Sequence, residues 1–289
     1  MNRYLCTTKL RRRRVTPVPI HQLFLLLLIG MAEISLAANL SREQRVSEAL
    51  EAALPEGSPV WLEAESVRFL AIHRETSAEK RLGSAVLLHD SGSHADWHEV
   101  INPLRRHLAE RGWDTLSIQT PITDDPSDPV IIQSLIELSL PRIQAAIDFL
   151  TEQQTGETVL IGHGLGAGMA MKFVTQPGNR IGAIAAIGVA MSADDEQDPA
   201  FLAIKGAETA ILDLYGSRDH PSVVDSAPLR RAIAARNGRK QYRQVEVSGA
   251  DHFFSGMQEE LARMFHPFLN LAGDMAKLGW FALTGNQTS

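Results

Sequence analysis

From Ala85 to Val247 the chain alternates between short apolar stretches and segments of helical periodicity, and this alternation constrains the fold more than any other feature. The stretches Ala85–Leu88, Thr115–Ile118, Thr158–Ile161, Ile184–Ile187, Thr209–Tyr215 and Tyr242–Val247 have the length and composition of strands covered on both faces. Between them, Trp97–Arg111, Leu135–Gln153, Gly166–Thr175 and a segment near Ala227–Ala235 place apolar residues at helical spacing, and a further helix is expected from near Met257. Gly112 is expected to stop the first helix and Pro141 to kink the second. Strands and helices in turn build an α/β fold, a mostly parallel doubly wound sheet with helices on both faces. Its ligand crevice lies where the strands end at their carboxyl side.

Ahead of this pattern, residues 38–57 are expected to form a leading helix, with Val46, Ala49, Leu50 and Ala53 on one face. Val60–Leu62 and Val67–His73 then read as antiparallel strands. Leu104, Leu108, Phe149, Leu150, Met169 and Phe173 are expected in the core, and Arg105, Arg106 and Arg111 on a solvated helix face. The segment Ile122–Ile132, rich in Asp and Pro, lies beside the crevice with no conformation that can be read from it. No repeat or linker divides residues 38–289, so one domain is expected, with 270–289 as a C-terminal tail.

The first 37 residues read differently. Arg11–Arg14 form a positive block, Leu23–Ala32 an apolar run too short to span a bilayer, and Ser35-Leu36-Ala37 a site for signal peptidase. This predicts a signal peptide over 1–37, a periplasmic or secreted protein, and no stable membrane span after cleavage. Cleavage leaves 22 basic against 33 acidic side chains. Such a balance disfavours nucleic acid and anionic lipid as partners. The single cysteine, Cys6, precedes the apolar run, so the mature chain is expected to lack disulfides.

Four turns at strand ends carry the chemistry. Strand Thr158–Ile161 leads into Gly162-His163-Gly164-Leu165-Gly166 and a helix, the context of a G-x-S-x-G nucleophile turn, with Gly164 where the serine would stand. Asp219 follows the strand Thr209–Tyr215 and His252 the strand Tyr242–Val247, in the order nucleophile, acid, histidine. Asp219 is expected to fix the tautomer of His252 and leave its other nitrogen free. After Ala85–Leu88 comes His89-Asp90-Ser91-Gly92-Ser93-His94, where a hydrolase commonly has His-Gly-x-Gly to aim a backbone N–H at an oxyanion. Asp90 stands at the first glycine, and a carboxylate there opposes negative charge on a substrate unless it points outward.

On the segments VLLHDSGSHADWHEVINPLRRHLAERGWDTLSIQTP, AAIDFL, VLIGHGLGAGMA, LDLYGSRDHPSV and YRQVEVSGADHFFSG the chain resembles the α/β-hydrolase superfamily over nearly its whole mature length. Within it, the chain is most similar to an uncharacterised bacterial family of exported hydrolase-like proteins with Gly-His-Gly at this turn. The resemblance implies an α/β-hydrolase fold and leaves the role open. Three functions are compatible with it. One is a pseudo-hydrolase that binds a small ligand or a protein partner in the old crevice, its nucleophile position vacant at Gly164. Another is an ester or amide hydrolase without a covalent intermediate. In that case Asp219 and His252 activate a water held in the vacated space, Leu165 donates its N–H to the oxyanion, and Ser91 or Ser93 is the displaced-nucleophile variant. The third is a metal site among His89, His94, His163, His220 and His252 with Asp90 and Asp219, although no spacing matches a known ligand motif. The pocket is expected to involve Leu165, His163, His89, Asp90 and Ser91. No cofactor and no metal are assigned from the sequence.

Overall fold

The computed structural model describes residues 38–192 and 194–265; the expected signal peptide and C-terminal tail lie outside the described residues. In chain order the elements are α1 (Leu40–Ala53), β1 (Ser58–Ala64), β2 (Val67–Arg74), β3 (Gly83–Leu88), α2 (Ile101–Ala109), β4 (Trp113–Ile118), α3 (Pro129–Glu152), β5 (Thr158–His163), α4 (Leu165–Val174), β6 (Ala183–Ile187), α5 (Pro199–Gly206), β7 (Ala210–Arg218), α6 (Pro221–Arg236) and β8 (Tyr242–Asp251). Residues 258–265 are also helical.

One eight-stranded sheet runs in the order β1-β2-β4-β3-β5-β6-β7-β8. β2 pairs antiparallel with β1 and β4, and all other neighbours are parallel. Strands β3 to β6 are buried along their whole length, which explains the apolar runs Ala85–Leu88, Val159–Ile161 and Ala183–Ile187, while β4 also buries Asp114, Thr115 and Ser117. Successive residues serve opposite layers. Val86, Leu88, Leu160 and Ile184 pack on the side of α3, α4 and α5, while Ala85, Leu87, Val159 and Ile161 pack with Leu104 and Leu108 of α2 and with Phe265. The pairings Leu88↔Gly162 and His163↔Ile187 bring the carboxyl ends of β3, β5 and β6 level at one edge.

Several local expectations are corrected. Helix α1 forms behind an Asn39 cap, but the residues it buries are Glu43 and Ser47, not its apolar ones. Its Glu43 carboxylate pairs with Arg142 of α3 at 2.6 Å, both side chains being buried, so the contact is an ion pair and not an apolar seam. Burial, partly offset by Arg142, raises the Glu43 pKa. Arg105 is not on a solvated face. It is fully buried and bonds Asp96 at 2.5 Å and the Glu56 carbonyl at 2.8 Å, whereas Arg106 and Arg111 are exposed.

Helix α3 starts inside Ile122–Ile132, where Asp128 accepts from the Val130 N–H and Pro129 takes the first turn. Pro141 lies inside α3 without ending it. By length and composition α3 is the one helix among the described residues apolar enough to cross a membrane, and it lies against the sheet with Leu135, Ile143, Ala146 and Leu150 buried. Helix α5 is an addition to the expected elements; Asp198 caps it and Pro199 begins it. At the β7–β8 end, buried Arg230 pairs with buried Asp213 at 2.7 Å, and Tyr242 and Gln244 also donate to Asp213.

Candidate functional site

The turn between β5 and α4 is one residue long. Gly164 has φ +53° and ψ −115°, a conformation that costs a residue with a side chain, and its N–H donates to the Ile187 carbonyl at 2.9 Å. Gly164 therefore makes the strand-to-helix reversal at low strain and presents no side chain.

The space at its tip is nevertheless filled, which corrects the expectation of a vacant position. A Cβ built on Gly164 would overlap the carboxyl group of Asp90. Asp90 Oδ1 accepts from the Leu165 N–H at 2.6 Å, and Oδ2 lies 3.1 Å from His252 Nε2. So Asp90 points into the site, not outward. Its carboxylate fills the place of a serine side chain and, through Oδ1 on the Leu165 N–H, the place an oxyanion would occupy. A water in the vacated space, as the non-covalent mechanism requires, has no room while Asp90 stays, and Leu165 has no free N–H for an oxyanion. Burial acts to raise the Asp90 pKa, but the bond from His252, nearby His163 and the Leu165 N–H outweigh it and hold the pKa below its ordinary value.

Asp90 is aimed by the loop beneath it. His89 is buried, and the Thr120 N–H donates to its Nε2 at 3.1 Å, which leaves the ring proton on Nδ1 to donate to the Asp90 carbonyl at 2.8 Å. Burial pushes the pKa of His89 down to about 4, consistent with this neutral form. The Ser93 hydroxyl also donates to the Asp90 carbonyl, at 2.8 Å. His89 thus orients Asp90 and does not line the reactive centre. Ser93 is committed to this turn, and Ser91 is half-buried on it.

Asp219, past the turn end of β7, and His252, just beyond β8, meet at the same place, with Asp219 Oδ1 2.6 Å from His252 Nδ1. The same oxygen accepts from the His220 N–H at 2.7 Å. Burial works to lower the His252 pKa, but the bonds to Asp219 and Asp90 prevail and raise it to about 9. At neutral pH the ring is an imidazolium between two carboxylates.

Two further residues shape this centre. Gly188, after β6, has φ +62°, and a Cβ there would lie 2.9 Å from His252 Cε1 and 3.2 Å from Asp219 Oδ2. A side chain at 188 would push the pair apart; a glycine directly after a strand is the sequence signal that could have found it. His163 is fully buried, donates from Nε2 to the His252 carbonyl at 2.9 Å, and has no partner at Nδ1. Burial lowers its pKa, so the ring is neutral. The His163 and His252 ring centres are 4.6 Å apart.

The cluster of histidines therefore separates. Asp90, His163 and His252 each offer a ligand atom, all within 4.8 Å of one another. His94 instead accepts from the Asp96 N–H and lies against Trp97, and exposed His220 lies against the His252 ring. Over the centre opens a cavity of about 300 Å³, walled by Ile136, Leu165, Val189, Pro199 and Val223. Pro199 comes from α5, a wall that the sequence reading missed. A larger cavity of about 730 Å³, near Val174, Arg180 and Thr209, lies at the amino ends of β6 and β7, away from these groups.

A family model described as Protein of unknown function (DUF3530) matches residues 28–134 and 133–270. No curated protein sequence matches the chain. Among solved structures, Est1E from Butyrivibrio proteoclasticus superposes with a TM-score of 0.59 at 13% identity, over 75% of this chain and 99% of that one. The esterase Pf2001 of Pyrococcus furiosus gives 0.59 at 14%, over 74% and 90%. An alpha-beta serine hydrolase homologue from Coxiella burnetii gives 0.57 at 15%, over 72% and 94%. At these identities the likeness is one of fold, and the fold is that of the α/β hydrolases.

Proposed function

The chain belongs to the DUF3530 family and has the α/β-hydrolase fold, and from that premise we propose that it is an exported pseudo-hydrolase whose old active-site crevice binds a ligand without acyl transfer. One observation carries the reading: the Asp90 carboxyl group stands where a side chain on residue 164 would stand. A substrate carbonyl reaches the Leu165 N–H only by displacing Asp90 Oδ1, a charge-assisted bond whose loss costs about 1.5–3 kcal/mol. An imidazolium holds no lone pair with which to act as a base. The turn, the acid and the histidine then serve as a fixed polar floor under apolar walls.

That floor carries two carboxylates against one imidazolium. It favours a small ligand with an apolar body and a cationic or hydrogen-bond-donating head, and opposes an anionic one. Export rests on the basic, apolar and small-residue order of residues 1–37.

The test is exposure of the wild-type protein, with chelator present, to a fluorophosphonate and to a panel of short and long acyl esters. No labelling is expected, and no turnover above that of His252→Ala. Covalent labelling, or ester turnover that disappears in His252→Ala, overturns the reading.

A further inference from the structure

We propose that the crevice holds a divalent transition-metal ion, zinc by its ligand chemistry, on Asp90 Oδ2, His163 Nδ1 and His252 Nε2. This rests on the reading of the crevice as a binding site and names what its floor takes.

The argument starts from the second nitrogen of each ring. A metal-binding histidine almost always donates its other N–H to a carboxylate or a backbone carbonyl, which fixes tautomer and orientation. Both histidines here are held in that way. His252 Nδ1 is bonded to Asp219 at 2.6 Å, and His163 Nε2 to the His252 carbonyl at 2.9 Å. Each arrangement leaves the opposite nitrogen as the one able to ligate. For His163 that nitrogen, Nδ1, is buried with no hydrogen-bond partner, in a residue with no exposed surface. An orphaned polar atom in a packed interior is costly unless something binds it.

The third ligand is similarly prepared. Asp90 Oδ1 is tied to the Leu165 N–H, so the carboxylate is oriented, and Oδ2 faces His252 Nε2, with His163 in the same cluster. Its side chain retains 15% exposure, toward the cavity of about 300 Å³, which gives an ion a route in and leaves a fourth position for water or a ligand head. Two imidazoles, one carboxylate and an open position form the donor set of a three-ligand zinc site.

The distances are compatible with closure. Metal bonds of about 2.0–2.1 Å at tetrahedral angles put ligand atoms roughly 3.3 Å apart. The Asp90–His252 pair is already at 3.1 Å, and the three residues each bring a ligand atom within 4.8 Å of the others, so closure asks for a shift of the His163 ring toward that pair on the order of 1.5 Å. The ion replaces the Nε2 proton of His252, which leaves to solvent. It also balances the excess negative charge of the floor.

The experiment uses tag-free protein stripped with chelator and titrated with Co²⁺, then with Zn²⁺ in competition. One equivalent of Co²⁺ is expected to give intense visible bands of low coordination number, abolished by one equivalent of Zn²⁺. His163→Gln and Asp90→Asn are each expected to weaken binding by more than the roughly 10–100-fold expected for Asp219→Asn, which removes only a supporting carboxylate. Thermal unfolding of each variant separates lost ligation from lost structure, and the near-isosteric Asp90→Asn provides the decisive comparison if His163→Gln does not fold. No stoichiometric Co²⁺ spectrum in the wild type, or unchanged affinity in a folded Asp90→Asn, overturns the site. Because the ester and fluorophosphonate assay runs in chelator, the metal inference can fail while the binding reading stands, and the reverse.

Discussion

Restoring a serine at position 164 gives a quantitative check on the claim that Asp90 fills the tip. Gly164→Ser places a side chain on a backbone at φ +53°, which costs about 1–3 kcal/mol whatever surrounds it. In the wild type the new Cβ also overlaps the Asp90 carboxyl group, an overpacking that adds about 1–3 kcal/mol. Asp90→Gly removes the second cost but not the first. A double-mutant cycle by urea unfolding should therefore show a favourable coupling of about 1–3 kcal/mol between the two substitutions. The chemistry should follow the same logic. With Asp90 gone, the Leu165 N–H is released, His252 keeps Asp219 alone, and glycine returns to the loop after β3. The double variant should label with a fluorophosphonate at the introduced hydroxyl, whereas Gly164→Ser alone should label poorly. Equal stability costs in both backgrounds, or equal labelling of the single and double variants, would refute the reasoning, because Asp90 would then not hold that space.

Gly188→Ala should destabilise the protein by about 2–4 kcal/mol in urea unfolding, since it adds a clash 2.9 Å from His252 Cε1 to a positive-φ penalty. Asp213→Ala should cost about 3–5 kcal/mol in the same assay, because it strands the guanidinium of Arg230 in a site with no exposure. In chelated protein, stability should depend on the His252 charge. Burial lowers its pKa but Asp219 and Asp90 raise it to about 9, above the unfolded value near 6.5, so about 3 kcal/mol is fully present below pH 6.5 and is lost as pH rises through 9. On the acid side the same contact weakens as Asp90, held below its ordinary pKa, gains a proton. Urea midpoints measured from pH 6 to 10 check the sign; a midpoint that rises across that window contradicts it.

The parts of the fold visible in the sequence are those set by local periodicity. β3, β5 and β6 are buried on both faces and so read as largely apolar runs, and the glycines around residue 164 mark a turn because few other residues tolerate its backbone. What depends on which way a side chain points was not visible. Asp90 reads in the sequence as a misplaced carboxylate, but its inward direction is set by His89 and Thr120, which lie 31 residues apart along the chain. Arg105 looks like its neighbours Arg106 and Arg111 until Asp96 and the Glu56 carbonyl are brought to it. Helix α1 hides a polar face because its partner, Arg142, lies on another helix. The short helix α5 carried a cap signal at Asp198-Pro199 but too few turns to show a period.

The central claim is that Asp90 and Asp219 hold His252 between them at the tip of the β5–α4 turn. The most direct measurement is the ring-nitrogen spectrum of His252 by ¹H–¹⁵N NMR in chelated protein at pH 7.5. Both nitrogens should be protonated, and Asp90→Asn should shift the protonation equilibrium toward the neutral ring with its proton on Nδ1. A neutral His252 in the wild type, or a spectrum that Asp90→Asn leaves unchanged, would contradict the account.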